Sequence, residues 1–255
     1  MVIIKTKKEI KVLREGGKRL ATVLYKVKEK VMPGVSTKDL DKYAEKLIKD
    51  MGDVPAFLNY RPAGVRTPFP ATLCTSVNEE VVHGIPSADK ILKEGDIISI
   101  DLGLQHKGLF TDMALTVPVG TVSNSTLKLL EVTEQALQVG ISAIRPDTRV
   151  GDIGHAIESF VRPHHYGIVE ILSGHGVGRA IHEDPYIPNF GQKEKGEKLL
   201  PGMVIAIEPM LNNGTKNVIL DKDGYTYRTT DGKKSAHFEH TVLVTKEGAE
   251  ILTRP

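Results

Sequence analysis

Leu92-Lys-Glu-Gly-Asp-Ile-Ile-Ser-Ile-Asp101-Leu-Gly-Leu104, followed by Phe110-Thr-Asp112-Met-Ala-Leu-Thr-Val117, is the stretch on which the fold turns. Gly95-Asp96 is a turn signal, and Ile97, Ile98 and Ile100 read as a strand of high β-propensity. Asp101 closes that apolar run, where an unpaired carboxylate is costly to bury. A second turn signal, Gln105-His-Lys-Gly108, leads into a strand that carries Asp112. Two aspartates on adjacent strands, each among apolar neighbours, call for a compensating cation.

The pattern recurs downstream. In Leu200-Pro-Gly202-Met-Val-Ile-Ala-Ile-Glu208-Pro-Met210, Gly202 matches Gly95, Val204 matches Ile97, Ile205 matches Ile98, Ile207 matches Ile100 and Glu208 matches Asp101. Phe238-Glu239-His-Thr-Val-Leu-Val244 likewise matches Thr111-Asp112-Met-Ala-Leu-Thr-Val117. Each half therefore offers an acid-bearing hairpin, and a repeat of this kind predicts two pseudo-symmetric halves facing a shared site.

The 255 residues suffice for one large domain or two fused half-domains. A net charge of +2 gives no argument for nucleic acid or an acidic membrane surface. The lysines at 5, 7, 8 and 11 read as a solvated helix face. No apolar run approaches the roughly 20 residues a bilayer span needs. The first stretch shows neither a signal nor a transit peptide. The single cysteine, Cys74, forbids an internal disulfide and fits a reducing compartment, so the expected location is the cytoplasm.

Residues 6 to 31 read as a helix, with Thr6 and Glu9 at capping-box spacing and Ile10, Leu13, Leu20, Leu24, Val27 and Val31 along one stripe. A second helix starts at Ser36 and buries Leu40, Tyr43, Leu47 and Met51, with Gly52 as its stop. Residues 53 to 72 form a proline-rich loop with aromatic content, and Ala71 to Val82 is extended, ending at His83-Gly-Ile-Pro86. Ser123 caps a third helix with Leu127, Leu130, Leu137, Ile141 and Ile144 inward, and a fourth runs from about Thr148 to before Pro163. Helix, helix, strands and acidic hairpin thus occur twice. The expectation is an α+β architecture with a central antiparallel sheet and helices on one side. Gly174-His175-Gly176-Val-Gly178 brings a histidine between glycines that permit close backbone approach. It lacks the Lys-Ser/Thr ending of a phosphate loop. His164 and His165 have no partner pattern and read as surface residues.

Four carboxylates and one imidazole form a hard donor set for two divalent ions, with Mn, Fe, Co or Zn favoured by the mixture of oxygen and nitrogen. Such a pair activates water and clamps a hydrolytic transition state. His83 and His182 are then free to donate to a scissile carbonyl or to move a proton.

The whole chain resembles the type I methionine aminopeptidases, of the pita-bread (creatinase-like) fold. The matching segments are Asn78-Glu-Glu-Val-Val-His83-Gly-Ile-Pro86, Asp96-Ile-Ile-Ser-Ile-Asp101, Thr111-Asp112, Gly174-His-Gly-Val-Gly178 with His182-Glu-Asp-Pro185, Ile207-Glu-Pro209 and Phe238-Glu-His-Thr241. The resemblance implies a single catalytic domain over 1–255, with halves of about 1–120 and 121–255 around a curved sheet. It implies Asp101, Asp112, His175, Glu208 and Glu239 as metal ligands, with Asp112 and Glu239 bridging and Glu208 also relaying a proton. It places His83 and His182 at the scissile peptide and Cys74, Phe69, Tyr225 and Tyr60 around a methionine pocket.

The implied reaction removes the initiator methionine from nascent chains whose second residue is small. Its implied setting is a cytoplasmic monomer with transient ribosome association and no nucleic-acid or membrane partner. Two departures stand out: the Tyr60–Phe69 link is longer than the usual short aromatic-Gly-Phe-Pro one, which bears on Tyr60, and Ile181 stands where an aromatic is common. The rival readings are a prolidase or Xaa-Pro aminopeptidase of the same fold, which usually carries an extra N-terminal domain, and a non-catalytic binding protein, which tends to lose ligands.

Overall fold

The structure is a computed structural model and describes residues 2–62 and 64–255; Ala63, inside the predicted aromatic loop, lies outside the described residues. Helix α1 (Lys7–Lys28) begins as the capping box predicts: the Thr6 hydroxyl accepts the Glu9 N–H, and the Glu9 carboxylate accepts the Thr6 N–H at 2.7 Å. It ends at Lys28, short of Val31. A Pro33 ring collides with the carbonyl four residues back, that of Glu29, so the helix stops there. Helix α2 (Thr37–Asp50) is capped by Ser36, whose hydroxyl accepts the Asp39 N–H at 3.1 Å. Its deepest positions are Leu40, Ala44 and Ile48, with Tyr43, Leu47 and Met51 only partly buried, a rotation from the predicted stripe. The rotation buries Asp41, which accepts the N–H groups of Thr72 and Leu73 at 2.8 and 3.1 Å and fastens the helix to the sheet.

The first half continues with β1 (Val54–Pro55), β2 (Leu73–Val77), β3 (Glu80–Val82), β4 (Ile97–His106) and β5 (Leu109–Pro118). Asp101 lies in the middle of β4, not at its end, because pairing with β5 extends to a turn at Lys107-Gly108. The second half has α3 (Asn124–Ser142), α4 (Val150–Val161), β6 (Gly167–Ile168), β7 (Gly174–Gly176), β8 (Glu183–Ile187), β9 (Val204–Ile207), β10 (Met210–Asn212), β11 (Val218–Leu220), β12 (Tyr227–Thr229), β13 (Ser235–His237), β14 (Glu239–Val244) and β15 (Ala249–Ile251). Leu127, predicted inward, is exposed, and Leu129, Val132 and Ala136 take the buried face of α3.

The main sheet is antiparallel, in the order β1-β4-β5-β14-β9-β7-β8, with β2 also on β4 and β15 on β14. The two acid-bearing strand pairs, β4·β5 and β14·β9, thus meet at the β5·β14 seam. Gly95 and Gly202 enter their strands with matching φ of 87° and 95°. One expectation needs correction. In the second half the acidic strands are neighbours but not a hairpin, because residues 208–238 leave the sheet to form most of two three-stranded sheets, β13-β10-β6 and β11-β12-β3. Asn213-Gly214 offers a turn signal at nearly the offset of Lys107-Gly108, but β10 pairs with β13 and β6, so the chain does not fold straight back onto β9.

Alternation divides the sheet into two faces. Ile98, Ile100, Leu102, Met113, Leu115, Val117, Ile205, Ile207 and Val242 join Leu20, Leu24, Leu40, Ile48, Leu129, Leu137 and Ile153 of the helices in one core. The other face carries three polar rows across β4, β5 and the last strands. Ser99 pairs with Thr116, Asp101 with Ala114 and Gly103 with Asp112, and Ala114 pairs onward with Glu239. At each side of that last pair a threonine spans the seam. The Thr241 hydroxyl accepts the Asp112 N–H at 2.8 Å and donates to the Asp112 carbonyl at 2.7 Å. The Thr116 hydroxyl does the same for the His237 backbone, at 2.9 and 2.8 Å. No described helix is long and apolar enough to cross a membrane.

Candidate active site

The middle row reads Asp101, Ala114, Glu239, and Asp112 stands two residues along the central strand from Ala114. All three acids therefore project from the same face, and the small alanine leaves the space between them open. Oxygens of Asp101, Asp112 and Glu239 approach one another within 4.8 Å, as do ligand atoms of His175, Glu208 and Glu239, and those of Asp112, His175 and His182. The fold thus brings together all five residues that the resemblance implied as ligands, from β4, β5, β7, β14 and the residue after β9.

The glycines around His175 have a steric cause. A Cβ at Gly174 would lie 2.3 Å from the Ala206 carbonyl oxygen, and one at Gly176 would lie 2.2 Å from that of Asp184. Only glycine lets β7 sit this close to both neighbours. The His175 Nδ1–H faces the Gly176 carbonyl at 2.9 Å, which leaves the Nε2 lone pair directed at the acids, 3.6 Å from Glu208 Oε1 and 3.9 Å from Asp112 Oδ2.

Charge balance shows what the cluster lacks. Among the described residues no lysine or arginine pairs with Asp101, Asp112, Glu208 or Glu239. Asp101 Oδ1 and Glu239 Oε1 are buried without a hydrogen-bond partner. Burial, together with the Glu208 charge, pushes Asp112 up to about 8, and burial pushes Glu208 up to about 7. Burial and the neighbouring acids hold Asp101 and Glu239 well above the carboxylate range. Burial and the nearby His182 lower His175 to about 4, keeping it a neutral donor. Unpaired oxygens, crowded carboxylates and a neutral imidazole with its lone pair inward suit a divalent cation, and these residues fit one.

Two cavities open from this point. An inner one of about 80 Å³ is lined by Phe57, Tyr60, Phe69, Cys74 and Tyr225 above the acids. An outer basin of about 660 Å³ runs past His83, His182 and Glu208 to Leu172, Tyr186 and Met210. The structure places Cys74, Phe69, Tyr60 and Tyr225 on one apolar wall, to which Phe57 adds. The lengthened loop does not displace Tyr60. The Phe69 N–H donates to the Tyr60 carbonyl at 2.8 Å and the Asn59 N–H to the Phe69 carbonyl at 2.9 Å, which closes the neck of the loop, and Pro62 joins Tyr60 in lining both cavities. The Tyr60 hydroxyl lies 2.8 Å from His182 Nδ1. Ile181 lines neither cavity; it is buried with Leu13 and Phe57 behind Gly103.

Sequence reasoning missed three features. His237, 1 % exposed, sits with Nε2 3.4 Å from Glu208 Oε2. Its signal was available: it precedes Glu239 by two, hence shares a face with it along an extended run. Thr241 follows Glu239 by two and fixes the Asp112 backbone. Lys5, read as surface, is buried and pairs with Glu183, beside His182; a long-range partner leaves no local trace in the sequence.

Residues 11–246 match the model of metallopeptidase family M24. The chain is 46% identical over 254 residues to methionine aminopeptidase 1 of Bacillus subtilis, covering 100% of both chains. It is similar to the crystal structure of methionine aminopeptidase from Rickettsia prowazekii, with a TM-score of 0.95, 40% identity and 100% of each chain covered. Its likeness to the prolidase from Pyrococcus furiosus is more distant, with a TM-score of 0.78, 26% identity and 66% of that chain covered.

Proposed function

The chain belongs to metallopeptidase family M24, and from that premise we propose that Asp101, Asp112, His175, Glu208 and Glu239 hold two divalent metal ions, with Asp112 and Glu239 shared between them. Its activity is that of a metal-dependent aminopeptidase removing N-terminal methionine, supported by relatives of that description over the full chain. The observation that carries the residue assignment is the convergence of the buried Asp101, Asp112 and Glu239 with the half-buried Glu208, with no lysine or arginine paired to them among the described residues. The ion identity is drawn from Co, Mn, Fe or Zn, in keeping with the oxygen-rich set.

Bound divalent ions supply Lewis acidity, lowering the pKa of water and polarising a carbonyl oxygen. The protein's own groups do the rest. The inner cavity admits a single side chain, and Phe57, Tyr60, Phe69, Cys74 and Tyr225 give it apolar walls suited to methionine. Glu208, with its raised proton affinity, takes a proton from the attacking water and returns it to the leaving amine. With its Nδ1 side turned to the Tyr60 hydroxyl, His182 offers Nε2–H to the scissile carbonyl oxygen. His83, hydrogen-bonded to the Tyr225 backbone and kept neutral by burial at about 4, faces the substrate from the opposite wall.

We read the chain as one catalytic unit of two pseudo-symmetric halves, acting as a cytoplasmic monomer on nascent chains with a small second residue, with transient visits to the ribosome. The prolidase reading has no observation in its favour.

The test is a peptide panel on protein stripped by a chelator and reloaded with single divalent ions. Met-Ala-Ser is cut only after reloading, and Met-Lys-Ser and Ala-Pro are not. Asp112→Ala and His175→Ala abolish metal-supported cleavage. Efficient Ala-Pro cleavage, or full activity in either variant, would contradict the assignment.

A further inference from the structure

Resting on the reading of Glu208 as a metal ligand and proton carrier, we infer that His237 is a positioning residue for Glu208: its Nε2–H donates to Glu208 Oε2 and so holds Oε1 toward His175 and the metal. The two oxygens of Glu208 face different partners. Oε1 lies 3.6 Å from His175 Nε2, and Oε2 lies 3.4 Å from His237 Nε2. A contact of 3.4 Å is long for a hydrogen bond, and site contacts of this kind shorten when the site is loaded.

Both ring nitrogens of His237 are buried without a hydrogen-bond partner. A buried polar group left without a partner is destabilising, so such a ring calls for a specific role. A carboxylate can only accept, which selects the tautomer with hydrogen on Nε2.

The backbone beneath the ring is fixed from both sides. The Thr116 hydroxyl accepts the His237 N–H at 2.9 Å and donates to its carbonyl at 2.8 Å. Its one hydrogen is thereby used, so Ser99 Oγ, 2.8 Å away, donates to it. Ser99, Thr116 and His237 thus form a hydrogen-bonded row next to the row of Asp101, Ala114 and Glu239. The sheet that holds two acids in place also holds the imidazole that steers a third. Partners of ligating carboxylates of this kind are worth about 10–100-fold in metal affinity or activity.

The test compares His237→Gln, whose amide can donate from a similar position, with His237→Leu, which fills the space without a donor. Chelator-stripped proteins are titrated with Co²⁺ by calorimetry, the visible absorption of bound Co²⁺ is recorded, and kcat and KM are measured on Met-Ala-Ser. The Leu variant is expected to bind Co²⁺ about ten-fold or more weakly, to shift the absorption band and to lose about ten-fold in kcat with KM within about two-fold. The Gln variant is expected to keep most of all three. Equal behaviour of Leu and Gln variants, whether both intact or both impaired, would overturn the inference. Failure of the unaltered protein to bind Co²⁺ at all would overturn the metal-site reading beneath it, a separate and distinguishable result.

Discussion

Carboxyl and imidazole groups gathered at one site set opposite pH dependences, and the signs separate them. In the metal-free protein the folded state keeps protons on Asp112 up to about 8 and on Glu208 up to about 7, whereas an unfolded carboxyl releases its proton near pH 4. The folded state then binds more protons, so this contribution to stability is lost as pH rises through that window. The buried histidines act the other way. His83 and His175 are lowered to about 4 and His237 to about 3, so their contribution is lost as pH falls below about 6.5. Between about pH 6.5 and 8 only the carboxylates act. Chelator-stripped protein is therefore expected to show a Tm that falls across that interval, and the Tm rise produced by saturating Mn²⁺ should grow with pH as bound metal displaces the protons. A metal-induced rise that is the same at pH 6.5 and 8 would contradict the assignment of the raised carboxyls as ligands. At the same scale, Tyr60→Phe removes the hydroxyl 2.8 Å from His182 Nδ1. One hydrogen bond of about 0.5–1.5 kcal/mol corresponds to roughly a 2–12-fold loss in kcat. Steady-state kinetics with unchanged kcat would show that Tyr60 only lines the wall.

At the level of elements, the parts that could be read from sequence were those governed by local rules. Thr6 with Glu9, Ser36 with Asp39, and Ser123 each start a helix by a bond made within four residues. Strands β4 and β5 follow from runs of high β-propensity between turn signals, and the alternation of a paired strand puts Asp101, Asp112 and Glu239 on one face. What escaped was set by distant partners. Leu127 is exposed because neighbouring elements cover a different part of α3, and the departure of residues 208–238 from the sheet is fixed by β10 and β13 finding each other, not by a turn signal. The N-terminal segment is the clearest instance. Lys5 donates its N–H to the Gly202 carbonyl at 2.8 Å, and its ammonium pairs with Glu183, both side chains almost fully buried. Glu183 also accepts the Ala180 N–H at 2.9 Å, closing the turn that carries His182. Lys5→Met leaves that carboxylate buried and unpaired, a change that costs about 3–5 kcal/mol when a buried pair is broken. Chemical denaturation should show that loss together with a fall in kcat, and adding Glu183→Gln should recover part of the stability. A fully stable, fully active Lys5→Met protein would remove the segment's role in holding His182.

For the whole molecule, the meeting of two acid-bearing strand pairs in one sheet is the organising fact. They join at the β5·β14 seam, and the shared face gathers charge that neither half could neutralise alone. The helices cover the opposite face, so the crowded side remains open to the two cavities. The resemblance placed the ligand set in the sequence, but which acids stand side by side became visible only from strand register. The most direct measurement is anomalous diffraction from crystals of the stripped protein soaked in Mn²⁺. Two peaks are expected, one among Asp101, Asp112 and Glu239 and one among His175, Glu208 and Glu239, with Asp112 reaching both. Crystals saturated with Mn²⁺ that show no peak there, with the carboxyls still holding their protons, would contradict the account at its root.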